Sequence, residues 1–422
     1  MKRILLITNG FPFEEAEYAF LWTEFHRLTE EFQVHILARS QEPLLYPLPD
    51  GVKAERFAYG PVFRPRRLAD LPSFFRAMTQ PFRPSVFGEL RRALRQCPSK
   101  QIFSRTRSIL SYSVNAWQLE KRLRRIAEEE GTDLIYTYWC TQATLAAVRL
   151  KKRFPRLKVV TRFHGYDLYQ ERFPDGWQPF RREISQGCGQ LFFAAEAGRR
   201  YYLATWGARW ASKSIVSYLG CRALSAFPAQ TERNSLTLVS CSSLIPLKRV
   251  HLIIDALRLL PEGIQVRWHH IGDGESRSAL TEQAETILDP LPNIQWKFWG
   301  SVPNVELSNL YQKIQPDIFI TTTLIEGGVQ VSIQEVFSIG VPAIATAVGG
   351  NPEIVRDGET GFLLPTDPSA QETAAAIRRF YELPAVEKTA MSGAARALWE
   401  EKFDAKKNAE AFVGRLKQLL SN

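Results

Sequence analysis

The sequence predicts an α/β protein built from two doubly wound parallel-sheet domains. Short apolar segments, which are typical of strands buried on both faces, alternate with longer segments of helical spacing. The alternation stops near Leu219–Gln230, where glycine, proline and polar residues gather, and then starts again. A chain of 422 residues is long enough for two such domains. We therefore expect domains at 1–225 and 226–404 facing a cleft, with a last helix at about 405–422 that packs back on the first domain.

The first half begins with a βαβ unit, in which the strand Ile4–Thr8 precedes the amphipathic helix Glu14–Glu31 and the strand Phe32–Ala38. The loop after the first strand, which contains Asn9 and Gly10, is expected at the carboxyl edge of the sheet, where open α/β sheets bind ligands. The other strands predicted in this half are Leu134–Tyr138, Lys158–Thr161, Gln190–Ala194 and Lys213–Tyr218. Its other predicted helices are Ala116–Glu130, Thr141–Phe154 and Gly198–Trp206.

The second half repeats this pattern. Its predicted strands are Leu236–Cys241, Gln265–Ile271, Ile294–Phe298, Asp317–Thr322 and Ala343–Thr346. Its predicted helices are Val250–Leu260, Ser278–Leu288, Val305–Gln315, Val331–Ile339, Gln371–Leu383 and Asp404–Leu420. The segment Asp357–Leu364 is rich in turn residues and predicts a hairpin.

Composition argues against several classes of protein. No apolar run reaches the roughly 18–20 residues that span a membrane, and the short apolar start fits a first strand better than a signal peptide. The five cysteines include no Cys-x-x-Cys pair, so neither a disulfide framework nor a zinc site is expected. A reducing cytoplasm fits this cysteine usage.

Positive charge is concentrated in the first half. Residues 1–225 contain 36 Lys and Arg against 21 Asp and Glu, while the net charge of the whole chain is +10. One domain is therefore expected to meet an anionic partner, such as a phosphorylated substrate or anionic lipid. The basic residues fall in no recognisable nucleic-acid module, which argues against a nucleic-acid-binding protein.

The segment Arg56–Trp117 mixes aromatic residues with arginines and is the least regular part of the chain. Its arginines include Arg64, Arg66 and Arg67. Two interpretations stay open. Its helical pieces lie on an anionic membrane surface with aromatic rings partly inserted, or they form an amphipathic layer packed on their own domain.

The clearest candidate site is Leu324–Ala347. A predicted strand leads into Glu326-Gly327-Gly328, and the helix that follows contains Glu335. The glycines allow a ligand to approach the backbone, and the free N–H groups of the first helical turn suit an anion such as phosphate. These features predict a cradle for a phosphorylated, hydroxyl-rich ligand. The alternative is an ordinary β-α-β unit with a turn eased by glycine.

Three further positions carry chemistry. His164 lies beside Gly165 at the carboxyl end of a strand, with Asp167 nearby, and is either a functional or a satisfied structural histidine. Lys248 lies between a strand and a helix, where it either reaches an anion or is solvated. Gly272-Asp273-Gly274 lacks the next glycine of a dinucleotide fingerprint.

Together these segments resemble the retaining family-4 glycosyltransferases of the GT-B fold. The resemblance is dense over residues 236–365 and is carried by SSLIPLKRVHLIIDAL, IGDGES, GSVPNVELSNLYQK and PDIFITTTLIEGGVQVSIQEVFSIGVPAIATAVGGNPEIVRDGETGFLLP. In the first half it rests on RFHGYDLY and Asn9-Gly10-Phe11-Pro12. The chain is most similar to members that build bacterial capsular, exopolysaccharide or lipopolysaccharide chains.

The resemblance implies a transfer of sugar from a nucleotide diphosphate donor to a hydroxyl of a glycan or lipid-linked glycan. It implies catalytic roles for Glu326, which would bind donor-sugar hydroxyls, for Lys248, which would neutralise the diphosphate, and for His164, which would face the reacting sugar. Glu335 would hold the ribose hydroxyls of the nucleotide. No metal and no cofactor is implied.

The remaining positions that the resemblance assigns lie around these. Those assigned to donor binding are Arg249, Gly272, Asp273, Gly274, Ser301, Val302, Gly327, Gly328 and Val329. Those assigned to the acceptor side are Asn9, Gly10 and Asp167, of which Asp167 would support the histidine loop. The implied location is the cytoplasm, with contact to the inner face of the plasma membrane.

The chain departs from the family pattern in two places. The two acids of the family usually have seven residues between them, whereas Glu326 and Glu335 have eight. The family often carries an arginine where this chain has Ser243, and Arg249 is expected to substitute. A GT-B sugar-nucleotide epimerase and a non-catalytic nucleotide-sugar-binding protein are the alternatives.

Overall fold

The computed structural model describes residues 1–63, 70–95, 97–225 and 235–421. The chain divides into two compact units, Met1–Ser217 with the C-terminal residues from Ala409 onward, and Tyr218–Asn408. The division lies close to the boundary predicted after residue 225. Residues 226–230 of the predicted linker, and the arginines Arg64, Arg66 and Arg67, lie outside the described residues.

The described part of the first unit is built on seven parallel strands. They are β1 (Arg3–Thr8), β2 (Gln33–Ala38), β3 (Lys53–Arg56), β4 (Leu134–Thr137), β5 (Lys158–Phe163), β6 (Gln190–Phe193) and β7 (Ser214–Val216). Their order in the sheet is β3-β2-β1-β4-β5-β6-β7. The central strands are apolar and buried because helices cover both faces of a parallel sheet. The order reverses beside β1, as expected for a doubly wound sheet.

Seven helices accompany this sheet in the described residues. They are α1 (Tyr18–Glu31), α2 (Leu71–Thr79), α3 (Pro84–Arg95), α4 (Ile102–Glu130), α5 (Gln142–Lys151), α6 (Arg181–Gly187) and α7 (Glu196–Trp206).

The irregular segment Arg56–Trp117 contains α2, α3 and the first half of α4, so α4 begins well before the predicted start at Ala116. Val86, Ala93 and Ile109 enter the core of the unit. Large aromatic side chains remain exposed on the same helices. These exposed rings lie among the arginines in the sequence. The spacing of apolar residues therefore does not show which face of each helix is buried.

The described part of the second unit is built on six parallel strands. They are β8 (Leu236–Cys241), β9 (Val266–Ile271), β10 (Ile294–Phe298), β11 (Ile318–Thr321), β12 (Ala343–Thr346) and β13 (Gly361–Leu364), and their order is β10-β9-β8-β11-β12-β13. Its helices are α8 (His251–Leu257), α9 (Arg277–Leu288), α10 (Leu307–Ile314), α11 (Val331–Phe337), α12 (Asn351–Ile354), α13 (Ala370–Glu382) and α14 (Ala385–Lys402). Two doubly wound parallel sheets confirm the predicted fold class.

The hairpin predicted at Asp357–Leu364 is wrong. Only Gly361–Leu364 is extended, and this strand pairs parallel to β12. Gly358, with a φ of +77°, makes the turn that precedes it. The turn residues therefore lead into the last parallel strand instead of reversing the chain.

The last helix, α15 (Ala405–Ser421), begins in the second unit and ends in the first. The ring of Phe412 contacts Tyr136 and Phe192, with centroid distances of 5.1 and 4.9 Å. The guanidinium of Arg162 lies 4.6 Å from the centre of the same ring and pairs with the buried Glu24. In the parts of the chain that the structure describes, no helix is both long and apolar enough to cross a bilayer.

Candidate functional site

The loops that follow the strands of the second unit carry the candidate donor site. Because all strands of a sheet run parallel, the loops after β8, β9, β10 and β11 emerge at one edge. These loops hold Lys248, Gly272, Ser301 and Glu326 respectively. The structure therefore brings the predicted donor residues of this unit to one edge of one sheet.

Lys248 and Glu326 form an ion pair between the ammonium Nζ and the carboxylate Oε1. The lysine ends a 3-10 turn, Pro246–Lys248, and the N–H of Leu324 donates a hydrogen bond of 2.9 Å to the carbonyl of Leu247. Both side chains are more than four-fifths buried, at 18% and 16% exposed. A cation and an acid are thus held together at the strand edge, where incoming ligand charges would compete for both.

The guanidinium of Arg249 is occupied by contacts within the protein. It donates to the carbonyls of Thr322 and Thr366, at 2.8 and 3.0 Å, and pairs with Asp367 at 2.6 Å. These contacts fasten the end of β11 to the chain after β13. The donor-binding role of Arg249 stays a prediction, and the geometry favours Lys248 as the cation of the site.

Gly349 and Gly350 pack against the turn that contains Glu326. A Cβ atom at Gly349, where φ is +54°, would lie 2.4 Å from the carbonyl oxygen of Glu326. The N–H of Gly350 donates to the carbonyl of Gly328 at 3.0 Å. The loop after β12 therefore supports Glu326, Gly327, Gly328 and Val329 through backbone contact that a side chain would prevent.

Glu335 is buried inside α11 and has one hydrogen-bond donor in the described residues, the amide of Asn304 at 3.0 Å. Burial raises the pKa of this carboxyl to about 7, and the hydrogen bond from Asn304 only partly opposes the shift. A carboxylate with so few donors can accept hydrogen bonds from ligand hydroxyls. The sequence prediction missed Asn304, although it follows Ser301 and Val302 in the GSVPN segment and so was marked by the resemblance.

The turn Gly272-Asp273-Gly274 fits closely against the loop after β8. A Cβ atom at Gly272, where φ is +134°, would lie 1.9 Å from the carbonyl oxygen of Ser242. The carbonyl of Asp273 accepts a hydrogen bond from the N–H of Leu244 at 2.9 Å, and the N–H of Gly272 donates to Gly300 at 2.8 Å. The glycines are therefore required by backbone packing, whatever ligand binds.

His164 directly follows β5 in the first unit and is more than nine-tenths buried. Its Nε2 lies 2.9 Å from the carbonyl oxygen of Tyr138 and therefore carries the proton, since a carbonyl only accepts. Burial and the neighbouring Arg162 lower the pKa of the imidazole to about 3. The ring packs 4.2 Å from the indole of Trp139, centroid to centroid. His164 is thus a neutral, oriented hydrogen-bonding group at neutral pH.

Asp167 holds two backbone segments together. Its Oδ1 accepts from the N–H of His164 at 2.9 Å, and its Oδ2 accepts from the N–H of Cys140 at 2.8 Å. Burial raises the pKa of this carboxyl to about 6 despite these donors. The buried Arg181 donates to the carbonyls of Cys140 and Asp167 and so closes the same junction. No sequence pattern marked Arg181.

The loop that contains Asn9 and Gly10 is organised by Glu17, which the sequence prediction also missed. Its carboxylate accepts hydrogen bonds from the N–H groups of Asn9, Gly10 and Phe11, at 3.1, 2.8 and 2.8 Å, and from the indole of Trp139. The backbone donors of this loop are therefore occupied by the protein. Nothing in the sequence distinguished Glu17 from its neighbouring acids.

Asn9 still reaches the histidine loop. Its side-chain amide donates to the hydroxyl of Tyr166, and the ring of Tyr166 stacks on Trp139 at 4.9 Å. Asn9, Asp167 and His164 thus belong to one cluster in the first unit. Within the described ranges, no three His, Cys, Asp or Glu side chains are arranged to hold a metal ion.

Part of the second unit matches a known family. Residues 225–398 match the family model described as glycosyl transferases group 1. A protein of Escherichia coli (strain K12), provisionally named colanic acid biosynthesis glycosyltransferase WcaL, is 25% identical over 259 residues, which are 59% of this chain and 61% of that protein. The chain therefore spans less than two thirds of the length of this curated relative.

Solved structures share the whole fold. One is Alr3699/HepE of Anabaena, crystallised with UDP. The match covers 99% of this chain and 100% of that protein, with a TM-score of 0.67 and 17% sequence identity. Sucrose-phosphate synthase (tll1590) of Thermosynechococcus elongatus covers 100% of both chains, with a TM-score of 0.72 and 15% identity. At these identities, the similarity shows the shared GT-B fold.

Replacement of Gly272 tests the packing of the glycine turn. The variant Gly272→Ala is expected to lose about 3 kcal/mol or more of unfolding free energy, because the methyl group overlaps a backbone carbonyl and the φ angle is unfavourable. Gly263→Ala is the control, since a Cβ there meets nothing within 4 Å, and it should change stability by less than about 1 kcal/mol. Equal thermal unfolding of the two variants would contradict the close backbone packing of this turn.

Glu335 should make stability depend on pH. Its folded-state pKa of about 7 exceeds the ordinary value of 4.5, so the native state binds more protons and this group lowers stability as pH rises between those values. Relative to the native chain, Glu335→Gln should therefore gain roughly 1–3 kcal/mol between about pH 5 and about pH 8. Urea unfolding at both pH values measures this difference. The same difference at both would show that the carboxyl is not buried as described.

Proposed function

We propose that this chain, which carries a glycosyl transferases group 1 domain over residues 225–398, transfers a sugar from a nucleotide diphosphate sugar to a hydroxyl of a glycan or lipid-linked glycan. The second unit binds the donor and the basic first unit binds the acceptor. The proposed setting is the synthesis of a bacterial surface polysaccharide at the inner face of the plasma membrane. The name of the Escherichia coli relative and the UDP bound by the Anabaena protein support this setting and this class of donor.

The proposal rests mainly on one observation. The ion pair of Lys248 with Glu326 and the buried Glu335 lie at the same carboxyl edge of the sheet. A diphosphate requires a cation, and sugar and ribose hydroxyls require acceptors. Lys248 supplies the first, while Glu326 and Glu335 supply the second. When a donor binds, its diphosphate pairs with Lys248 and its hydroxyls donate to Glu326. Each buried charge therefore keeps a partner after the ion pair is broken.

The reaction breaks the bond between the anomeric carbon and the diphosphate oxygen of the donor. Negative charge develops on the departing diphosphate, and the ammonium of Lys248 stabilises it. The acceptor oxygen bonds to the anomeric carbon, and its proton leaves with the phosphate or to water. We assign retention of anomeric configuration to this transfer because the segment Leu324–Ala347 resembles that of retaining enzymes.

His164 contributes as a neutral group. With its Nε2 proton engaged by the carbonyl of Tyr138, its Nδ1 is the nitrogen able to accept a hydrogen bond from a sugar hydroxyl. Its low pKa, near 3, keeps this acceptor unprotonated at working pH. Asp167 acts through His164 by holding the backbone of its loop.

No divalent metal enters the proposed mechanism, since Lys248 provides the positive charge at the diphosphate. The transfer experiment therefore includes a chelator. Purified protein is incubated with UDP-, GDP- or ADP-sugars and a lipid-glycan extract, with and without EDTA, and labelled product is measured. The anomeric configuration of the product follows from its NMR coupling constant.

Three outcomes of this experiment would count against the proposal. Release of a changed donor without an acceptor would indicate an epimerase. Saturable donor binding with no product would indicate a binding protein. Loss of product with EDTA would contradict the metal-free mechanism.

Contact with an anionic membrane surface is the second partner that we propose for the first unit. Large apolar side chains on α2, α3, the turn between them and the start of α4 are exposed: Phe75, Met78, Phe82, Phe87, Ile102 and Phe103. Arg91, Arg95 and Lys100 lie on the same segment and are exposed. Aromatic rings that insert among headgroups, with cations beside them, favour an anionic lipid surface.

The diphosphate assignment is tested by Lys248→Ala. Binding of the nucleotide sugar should weaken about tenfold or more, as expected for the loss of a charge-assisted contact, when measured by calorimetry. Lys406→Ala removes an exposed lysine of the same unit and should leave donor affinity unchanged. Unchanged affinity of the Lys248 variant would show that the phosphates lie elsewhere.

The membrane assignment is tested with vesicles. The native chain should sediment with anionic vesicles and not with zwitterionic ones, because the arginines supply part of the attraction. The double variant Phe82→Ser, Phe87→Ser should sediment markedly less, whereas Val386→Ser, at an exposed apolar position of the other unit, should behave as the native chain. Equal sedimentation of all three proteins would contradict insertion of these rings.

A further inference from the structure

The first unit contains an open pocket of about 490 Å³ beside the histidine loop. Helix α4 forms one wall with Phe103, Arg107, Tyr112 and Asn115, and Arg39, which follows β2, also lines it. Tyr166 lines the pocket from the loop that carries His164. The described residues that line this space all belong to the first unit.

The described lining of the pocket is positively charged. Arg39 and Arg107 line it, and no aspartate or glutamate does so among the residues that the structure describes. Among the described side chains, neither guanidinium has an ion-pair partner. Each instead lies over an aromatic ring, Arg39 at 5.6 Å from the centre of Tyr59 and Arg107 at 5.5 Å from that of Phe63. Each guanidinium that lies over its ring here has no N–H group engaged by a described acid, and its planar set of donors matches an oxyanion.

Two buried polar atoms in the lining also lack partners within the described structure. The hydroxyl of Tyr112, a residue only 6% exposed, makes no hydrogen bond, and neither does Oδ1 of Asn115. Such atoms are costly to bury, so each calls for an explanation. The phenol is able to donate to an oxyanion, while Oδ1 accepts from a hydroxyl. An occupant with both an anionic group and a hydroxyl would satisfy them together.

The position of the pocket links it to the acceptor. Tyr166 in its wall stacks on Trp139 at 4.9 Å, and Trp139 packs on His164 at 4.2 Å. An occupant in contact with Tyr166 is therefore separated from His164 by the ring of Trp139. A sugar residue that carries charge would lie close to the hydroxyl that reacts.

We propose that this pocket binds an anionic group, phosphate or carboxylate, on a hydroxyl-bearing sugar of the acceptor. The inference rests on the proposed transfer function and adds the chemical class of its acceptor. Arg39 and Arg107 contact the oxyanion, Tyr112 donates to it, and Asn115 accepts from a neighbouring hydroxyl. A neutral sugar satisfies the hydroxyl contact and leaves the two guanidinium groups without a partner.

Calorimetry with three probes tests the charge requirement. Glucuronate represents an acidic sugar, glucose 6-phosphate a phosphorylated one, and glucose the neutral reference. At least one charged probe should bind the native chain about tenfold or more tightly than glucose, as expected for a charge-assisted contact. The tighter of the two charged probes identifies the source of the anion. Equal affinity for all three, or no saturable binding of either charged probe, would overturn the proposal.

Variants locate the binding. Arg107→Gln should weaken the charged probe about tenfold, whereas Arg156→Gln, which removes an exposed arginine of the same unit, should not change it. Tyr112→Phe should also weaken it without loss of thermal stability, because the phenol has no protein partner to lose. The tyrosine variant decides the matter if the arginine variant does not fold. Native affinity in Tyr112→Phe and in folded Arg107→Gln would overturn the assignment.

Lys248→Ala separates this inference from the donor site. The charged probe should bind this variant as tightly as the native chain, since Lys248 belongs to the other unit. Weakened binding would place the probe at the donor site and overturn the assignment to the pocket. If instead the pocket variants lose the probe while no nucleotide sugar binds any protein, the transfer function fails and the anion site stands.

Discussion

The uniform direction of the strands is the constraint on which both units depend. In the described residues every strand pairs parallel to its neighbours, so each strand must be followed by a crossover and each carboxyl end faces the same edge. The chemistry-bearing residues are spread along the chain from Asn9 to Glu335. Parallel packing gathers them into one cluster in each unit, because the loops that hold them have no other edge on which to emerge.

Buried charges then position the loops at these edges. Glu17 gathers the backbone donors of the first loop, Asp167 joins the His164 loop to that of Cys140, and Arg249 fastens the end of β11. Each charge is compensated by several hydrogen bonds, and removal of any would leave donors or acceptors without partners in a low-dielectric interior. Such groups therefore fix the backbone of the loops that carry the candidate site residues.

Groups left with few protein partners form a different class. Glu335 has one donor, and in the described residues Arg107 has no acid and the hydroxyl of Tyr112 has no hydrogen bond. A folded chain does not usually leave such groups unsatisfied. Glu335 lies at the carboxyl edge of its sheet, and Arg107 and Tyr112 line a pocket of the first unit. The two buried acids differ in this respect, since Asp167 accepts backbone hydrogen bonds from two loops and Glu335 accepts a hydrogen bond from a side-chain amide.

Much of the architecture could be predicted. Apolar periodicity located most of the strands, and the segment Leu324–Ala347 led to the glycosyltransferase resemblance, which the match over residues 225–398 confirms at the level of the group 1 family. The assignment to the retaining family 4 stays a prediction, as do the individual roles of the site residues. The helices before Trp117 were harder to predict from the sequence. Exposed aromatic rings on α2 and α3 add apolar positions outside the buried face, so the apolar spacing does not show a clear helical period. The hairpin prediction failed because turn residues mark a bend and not the direction of the strand after it.

The residue order was sufficient for the two parallel sheets, the loops at their carboxyl ends and the acids and glycines in those loops, because such signals are local and periodic. Long-range contacts required the folded chain. Glu17 resembles its neighbouring acids until its carboxylate meets three backbone N–H groups, and Arg181 is one of many arginines until it reaches Cys140. Several features of the structure depend on residues that are distant in sequence. They are the ion pair of Lys248 with Glu326, the hydrogen bonds of Arg249 and the lack, among the described residues, of a hydrogen-bond partner for the hydroxyl of Tyr112. No local sequence pattern predicts these contacts, since they form only when the sheets bring separate loops together.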